Sequence, residues 1–502
     1  MAKDMDVPTG DADQAGRRRL ALVGSLALLL AAMIFAVLSA LRFGSHANAD
    51  ALVSSIASIQ GPTLFYWGQN RILSVMPFAL SWEKDPFANL FLSSAVCALS
   101  FYLLLLLVAR FANKAIREGD VVDQALCFLI LCVVFLAGST SLQFYFFAVD
   151  PSQPYALSYL LLVTAAWLIF FSSSYPTLSV LGAGVAAFIA TGVNFSVILA
   201  AVAMSLTGGW FTSVRKACLF FGLCAASFVF WYWVSRHYHA PGGAYYGLSG
   251  GPIDNLSASL RRVVASIRPI PVALLVATLI ASTALARGKR SRPLAIFTGT
   301  LIAFGLVWWM VISQNAWAQA NGLNARYFFP TLLCFGVALG VGLWARAVTA
   351  PGWAKIALIG VLAISILGIL LRPVQRLSSY PVFAKAAGYA AFARAHDIRY
   401  VSGNYWQAWP VVFLLLDRPD AAFAMAYRGE AVLSKLRKAV KRDARGGSPV
   451  RALCLEAKMA SCQSILGAMS GQNWEAAPLA CPGSCWVLAL TPRVTPGDAV
   501  PH

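Results

Sequence analysis

The sequence predicts an α-helical polytopic membrane protein, with about nine full spans plus a short-helix hairpin and a small C-terminal α/β domain. Three observations carry that prediction. Of 502 residues, 59% are hydrophobic and only 12% charged, whereas a soluble chain is nearer a quarter charged. Apolar runs of roughly 20 residues recur, and hydrocarbon offers such runs no stable form but helix, because open backbone groups find no water there. After residue 372 the pattern changes to alternating helix-like and strand-like stretches that hold four of the ten cysteines.

In chain order, 1–19 is a cytoplasmic tail containing Arg17, Arg18 and Arg19. The run 20–41 is too long and too early for a cleaved leader, so it reads as a retained first span. Further spans are expected at 87–109, 121–139, 155–171, 217–235, 269–286, 294–313, 327–345 and 355–371. Between the fourth and fifth lies 174–209, with a hinge at Thr191-Gly192-Val193-Asn194. Each arm is read as about 13 residues, too short to cross at 1.5 Å per residue. Charge favours a hairpin over one long crossing. With the N-terminus inside, a hairpin keeps Arg215, Lys216, the basic cluster 287–292, Arg346 and Lys355 on the cytoplasmic side, as the positive-inside tendency requires. The membrane part is then 20–372, with long outer loops 42–86 and 236–268, and 373–502 is a periplasmic domain. The expected location is the bacterial inner membrane, multi-pass, with the N-terminus cytoplasmic and the C-terminus periplasmic.

Composition also excludes. The net charge of +19 follows from topology in a membrane protein and gives no reason to expect nucleic acid as a partner. No glycine-rich phosphate loop, HExxH or paired CxxC is present. Cys454, Cys462, Cys481 and Cys485 form an even set confined to the outer domain, which fits disulfides in an oxidising compartment in any of three pairings. The other six cysteines lie within spans, as small apolar fillers.

The outer loops hold the unusual polar residues. In 46–71 stand one acid, Asp50, then Trp67, Gln69 and Arg71. Asp50 is placed to cap a short helix starting at Ala51 whose Val53, Ile56 and Ile59 share a side. Asp150 opens an Asp-Pro step in the second outer loop. Arg326 and Tyr327 begin a late span in the sequence Asn-Ala-Arg-Tyr-Phe-Phe-Pro, 324–330. Short basic cytoplasmic loops leave no nucleotide fold, so an energy-rich substrate reaches the outer face only in the membrane, on a lipid phosphate.

This pattern resembles the C-type glycosyltransferases, multi-spanning enzymes that take sugars from polyprenyl-phosphate carriers. The shared features are an acid soon after the first span, a long first outer loop with amphipathic helices, a mid-chain hairpin at 189–199, the Arg-Tyr-aromatic-Pro start of a late span, and a C-terminal outer domain. Many members carry two adjacent acids in the first loop, whereas Asn48-Ala49-Asp50 supplies one. The resemblance implies a polyprenyl-phosphate-linked sugar donor, an envelope glycan or lipid acceptor, and the bilayer as partners. It leaves a divalent cation open as cofactor, with no metal ligands assigned.

A lone acid suits that chemistry. An ordinary glycoside needs two carboxyl groups because an alkoxide leaves poorly. A sugar phosphate leaves as an anion and needs positive charge and one base. Asp50 is therefore the expected base, with inversion at the anomeric carbon, and Arg326 and Arg71 the expected phosphate holders. Trp67 would stack on a sugar, with Gln69, Asp150 and Tyr327 as further substrate contacts and Asp150 as the second candidate base. Each has a structural alternative: capping for Asp50, pairing with Glu83 or Asp85 for Arg71, interfacial anchoring for Trp67, Arg326 and Tyr327, and turn chemistry for Asp150. The competing functions are a lipid-linked glycan flippase or transporter, a periplasmic polysaccharide polymerase, and a non-catalytic membrane scaffold.

Overall fold

The computed structural model describes residues 10–65, 73–115, 120–139, 141–172, 176–237, 252–266, 292–372, 381–417, 423–425, 438–443, 450–470 and 473–490. The expected span 269–286 and the residues Trp67, Gln69 and Arg71 lie outside the described residues.

Among the described residues, eight helices are long and apolar enough to cross a membrane, and the protein is a multi-pass membrane protein. The bundle comprises α1 (Gly10–Phe43), α3 (Pro86–Ala115), α4 (Val121–Gly138), α5 (Tyr155–Phe171), α6 (Pro176–Val193), α7 (Val197–Phe211), α8 (Val214–His237), α10 (Arg292–Ser313), α11 (Phe329–Ala347) and α12 (Gly352–Leu370). Two outer-loop helices, α2 (Ala49–Gln60) and α9 (Pro252–Ser266), accompany it. Neighbouring helices such as α5 and α6, α7 and α8, and α10 and α11 pack against each other. Two of the joints carry their own signal. Asp85 takes the Ala88 amide at the start of α3, where Pro86 supplies a preset φ, and Asp120 takes the Asp123 amide at the start of α4.

The mid-chain hairpin is longer than the sequence pattern implies. Its arms run 18 and 15 residues, roughly 27 and 22 Å at 1.5 Å per residue, so the first arm is long enough to span. The expected hinge is where they meet. Gly192 is needed there, because a Cβ would stand 2.8 Å from the Trp231 ring. Its carbonyl also accepts the Leu73 amide at 2.8 Å, which fixes the hinge at the same end of the bundle as the first outer loop.

The C-terminal part is the α/β unit expected. Its five-stranded sheet has the order β2-β1-β3-β5-β4, with β1 (Tyr400–Gly403), β2 (Phe423–Met425), β3 (Arg451–Leu455), β4 (Trp474–Ala476) and β5 (Trp486–Leu490). β1 pairs in parallel with β2 and β3, while β5 runs antiparallel to β3 and β4. Helices α13 (Pro381–Ala395), α14 (Tyr405–Leu414) and α15 (Met459–Ser470) belong to it. The cysteines pair as Cys454–Cys462 and Cys481–Cys485. One joins β3 to α15, and the other closes the loop before β5.

The amphipathic helix α2 is not an exposed roof. All residues from Ala49 to Ser58 are buried, with α3 on one side and α14 of the C-terminal unit on the other. Asn89 of α3 anchors this region, its amide donating to Ser58 Oγ at 3.0 Å and to the Leu80 and Glu83 carbonyls at 3.0 and 3.1 Å. The first outer loop is thus clamped between the membrane bundle and the sheet domain.

Candidate active site

Asn48, not Asp50, caps α2. Its Oδ1 accepts the Ala51 amide at 3.2 Å, and the helix starts at Ala49, two residues before the sequence places it. The capping alternative for Asp50 is thereby overturned. A side chain in the first turn of a capped helix is free to point elsewhere, and Asp50 points at the bundle's other polar elements.

Asp50 meets two donors from distant parts of the chain. Arg326 Nη1 donates to Oδ2 at 2.9 Å, and Tyr405 donates its phenol proton to Oδ1 at 2.5 Å. The carboxylate is 9% exposed and the guanidinium 13%, so this is a partly desolvated ion pair, in which charge-assisted hydrogen bonds are strong.

Arg326 is held by its neighbours. The reversal Gly322–Leu323 has both residues in the left-handed region, φ 68° and 50°. Glycine adopts that freely and leucine at a cost of about 1 kcal/mol. Asn324 then takes the Arg326 amide at 3.1 Å, and Trp308 donates its indole N–H to the Tyr327 carbonyl at 3.0 Å. Beneath this turn Phe329 packs against Phe147, Tyr155 and Tyr159 with centroids 5.4, 5.4 and 5.8 Å away. The guanidinium donates from Nη2 to Tyr327 Oη at 3.2 Å. Its Nε is buried and has no hydrogen-bond partner, a costly arrangement unless a ligand oxygen uses it.

Asp150 lies in the second outer loop at the end of the π-helical turn Tyr145–Val149, buried, with Oδ1 accepting the Ser152 amide at 2.9 Å. Burial pushes its carboxyl up to about 6 against the pull of the Ser152 hydrogen bonds. The negative charge of Asp50 adds to the rise, and the positive charge of Arg326 opposes it. The three groups therefore share one electrostatic neighbourhood. Of the seven residues expected at the site, Asp50, Asp150, Arg326 and Tyr327 converge, while Trp67, Gln69 and Arg71 fall outside the described residues.

Tyr405 is the residue the sequence does not announce. Nothing in Asn-Tyr-Trp, 404–406, marks it, since aromatic residues are common at the start of a domain helix. Its placement depends on Gly403, where φ is 128° and a Cβ would stand 2.8 Å from the Leu455 backbone. That glycine turns the chain out of β1, and Asn404 then caps α14 by accepting the Trp406 amide at 2.9 Å.

Among the described residues no three His, Cys, Asp or Glu side chains converge, and the two Asp50 oxygens accept from Arg326 and Tyr405.

No family model matches the sequence, and no curated protein matches it either. Solved structures do match. ArnT from Cupriavidus metallidurans, in a crystal structure with bound undecaprenyl phosphate, superposes with a TM-score of 0.56 over 93% of this chain and 98% of that one, at 13% identity. The chain therefore has the GT-C-like fold that the loop pattern suggests.

Proposed function

We propose that this GT-C-like fold carries an integral-membrane glycosyltransferase that moves a sugar from a polyprenyl-phosphate carrier to an acceptor hydroxyl on the outer face, with inversion. The observation that carries this reading is the buried Asp50–Arg326 pair with its unused Nε donor, at the outer end of a fold shared with a protein crystallised with undecaprenyl phosphate.

On this reading the residues take the following roles. Arg326 and Tyr405 orient the Asp50 carboxylate, one on each oxygen. The acceptor hydroxyl gives its proton to Asp50 as its oxygen bonds the anomeric carbon. The carbon–oxygen bond to phosphate breaks in the same displacement, and the carrier phosphate leaves with the electron pair. Arg326 Nε faces that growing charge, where a fixed cation in a water-poor site stabilises the transition state more than the ground state. Asp150, its carboxyl pushed up to about 6 and sensing the charges of this pair, is the second candidate to take the acceptor proton. The membrane is the bacterial inner membrane, with the N-terminus cytoplasmic and the sheet domain periplasmic. An impermeant thiol reagent applied after reduction should then label Cys454 to Cys485 from the periplasm.

The decisive experiment is Asp50→Asn in membranes supplied with a polyprenyl-phosphate sugar. Transfer should fall by about 10²- to 10⁴-fold, the usual contribution of a positioned base, with expression and folding retained. Full activity in that variant would remove Asp50 from the chemistry and send the search to Asp150.

A further inference from the structure

A second feature of the bundle is a cavity away from this site. It encloses 790 Å³ between α3, α5, α7, α10 and α11, and its wall is mostly aliphatic and aromatic. One end lies beneath the aromatic floor, at Tyr159 and Cys334. The other reaches Arg110, Asn113, Lys114 and Gln124. Pro86 starts α3 near the clamped outer loop, and Arg110 is 24 residues further on, roughly 36 Å along the helix. That is more than a hydrocarbon thickness of about 30 Å, so the polar end opens at the opposite leaflet from Asp50.

The polar end is cationic. Lys114 Nζ sits 4.7 Å from the Phe171 ring centroid and 5.1 Å from that of Trp167, and the Arg110 guanidinium lies 5.0 Å from Trp167. Lys216 adds a third cation, donating to the Phe170 carbonyl at 3.1 Å. Among the described residues, no Asp or Glu lines the cavity. Two described acids nearby are engaged elsewhere: Asp120 caps α4, and Asp123 pairs with Lys355 at 2.8 Å. A positive-inside bias alone would scatter such cations along the rim. Here two of them stack on aromatic rings at the mouth of an apolar chamber.

We infer that this cavity binds an anionic phospholipid of the leaflet opposite the active site, its acyl chains in the chamber and its phosphate between Arg110 and Lys114. Charge complementarity separates this occupant from the carrier. A polyprenyl phosphate reacting at Arg326 would send only its tail into the chamber and leave the cationic mouth unmatched. The inference rests on the cavity and the bundle, and stands whether or not Asp50 is a catalytic base.

Native mass spectrometry of the full chain, exchanged into phosphatidylglycerol or phosphatidylcholine, tests it. Wild type should retain phosphatidylglycerol preferentially. Arg110→Gln with Lys114→Gln should cut that retention roughly 30-fold, since each of the two cations near a lipid phosphate contributes about 1 kcal/mol. Ala203→Trp, which fills the chamber without touching the cations, should lower it as well, and Arg110→Lys should keep most of it. Equal retention of both lipids by wild type would overturn the inference. So would displacement of phosphatidylglycerol by polyprenyl phosphate to the same extent in wild type and the double glutamine variant, which would make the chamber the carrier's.

Discussion

Two buried ion pairs hold opposite ends of this bundle, and they are nearly identical by distance. Asp50–Arg326 closes at 2.9 Å and Asp123–Lys355 at 2.8 Å, with comparable exposure. Their surroundings differ. At the Asp123 end Trp344 donates to the Asp123 carbonyl at 2.8 Å, so α4, α11 and α12 are tied together by a pair with its own structural work. At the Asp50 end the cation keeps a buried, unused Nε, the anion accepts a phenol from the C-terminal unit, and the pair's charges act on a second buried acid, Asp150. A buried salt bridge by itself is weak evidence of anything beyond architecture. What marks a site is hydrogen-bonding capacity left over after the fold is satisfied.

Perturbing the two pairs should separate them, and the largest effect is on chemistry. Asp50→Asn should remove transfer by the 10²- to 10⁴-fold given above, with a smaller loss of melting temperature than Lys355→Met, because the amide oxygen still accepts from Arg326. Lys355→Met should do the reverse. Leaving Asp123 buried without its cation costs up to about 3 kcal/mol, visible as a lower melting temperature, while the turnover of protein that remains folded is unchanged. Equal effects of both changes on turnover would erase the distinction drawn here.

Next in size is Tyr405→Phe. Removing a hydrogen bond to a charged group costs about 1.5–3 kcal/mol, so turnover should fall roughly 10- to 100-fold while the KM for the carrier changes little. A rise in KM with constant turnover would instead make the phenol a substrate contact.

The smallest effect concerns pH. Asp150 binds its proton more tightly in the folded protein, at about 6, than at its ordinary value of 3.8. Its protonated form therefore stabilises the fold fully below pH 3.8, and that stability is lost as pH rises through 6. Wild type should lose stability relative to Asp150→Asn across this window, measurable as a pH-dependent difference in melting temperature. A difference that stays flat would place the carboxyl in contact with water.

Much of this was legible in the chain. Apolar run length marks the spans, because lipid permits only helix there, and the clustering of Cys454, Cys462, Cys481 and Cys485 marks an oxidised domain, whose pairing then emerged with the fold. Asp50 and Arg326 stood out because charge is rare in so apolar a sequence. The length of the hairpin arms was misjudged, because Thr191 and Gly192 look like breaks. In the folded chain Thr191 Oγ1 bonds back to the Ala187 carbonyl at 2.8 Å and the helix continues. Capping stands as the alternative for Asp50 in the sequence because Asn48 and Asp50 suit that role equally by type, and only backbone geometry separates them.

The sequence by itself determined which segments enter lipid and which rare charges are left over, since both follow from one-dimensional hydropathy. Tertiary structure alone decided that Asp50 meets Arg326 and Tyr405, residues 276 and 355 positions away. A hydrogen bond needs placement within a few tenths of an ångström. Across such separations that placement comes from the packing of α2 between the bundle and α14, which no local pattern encodes.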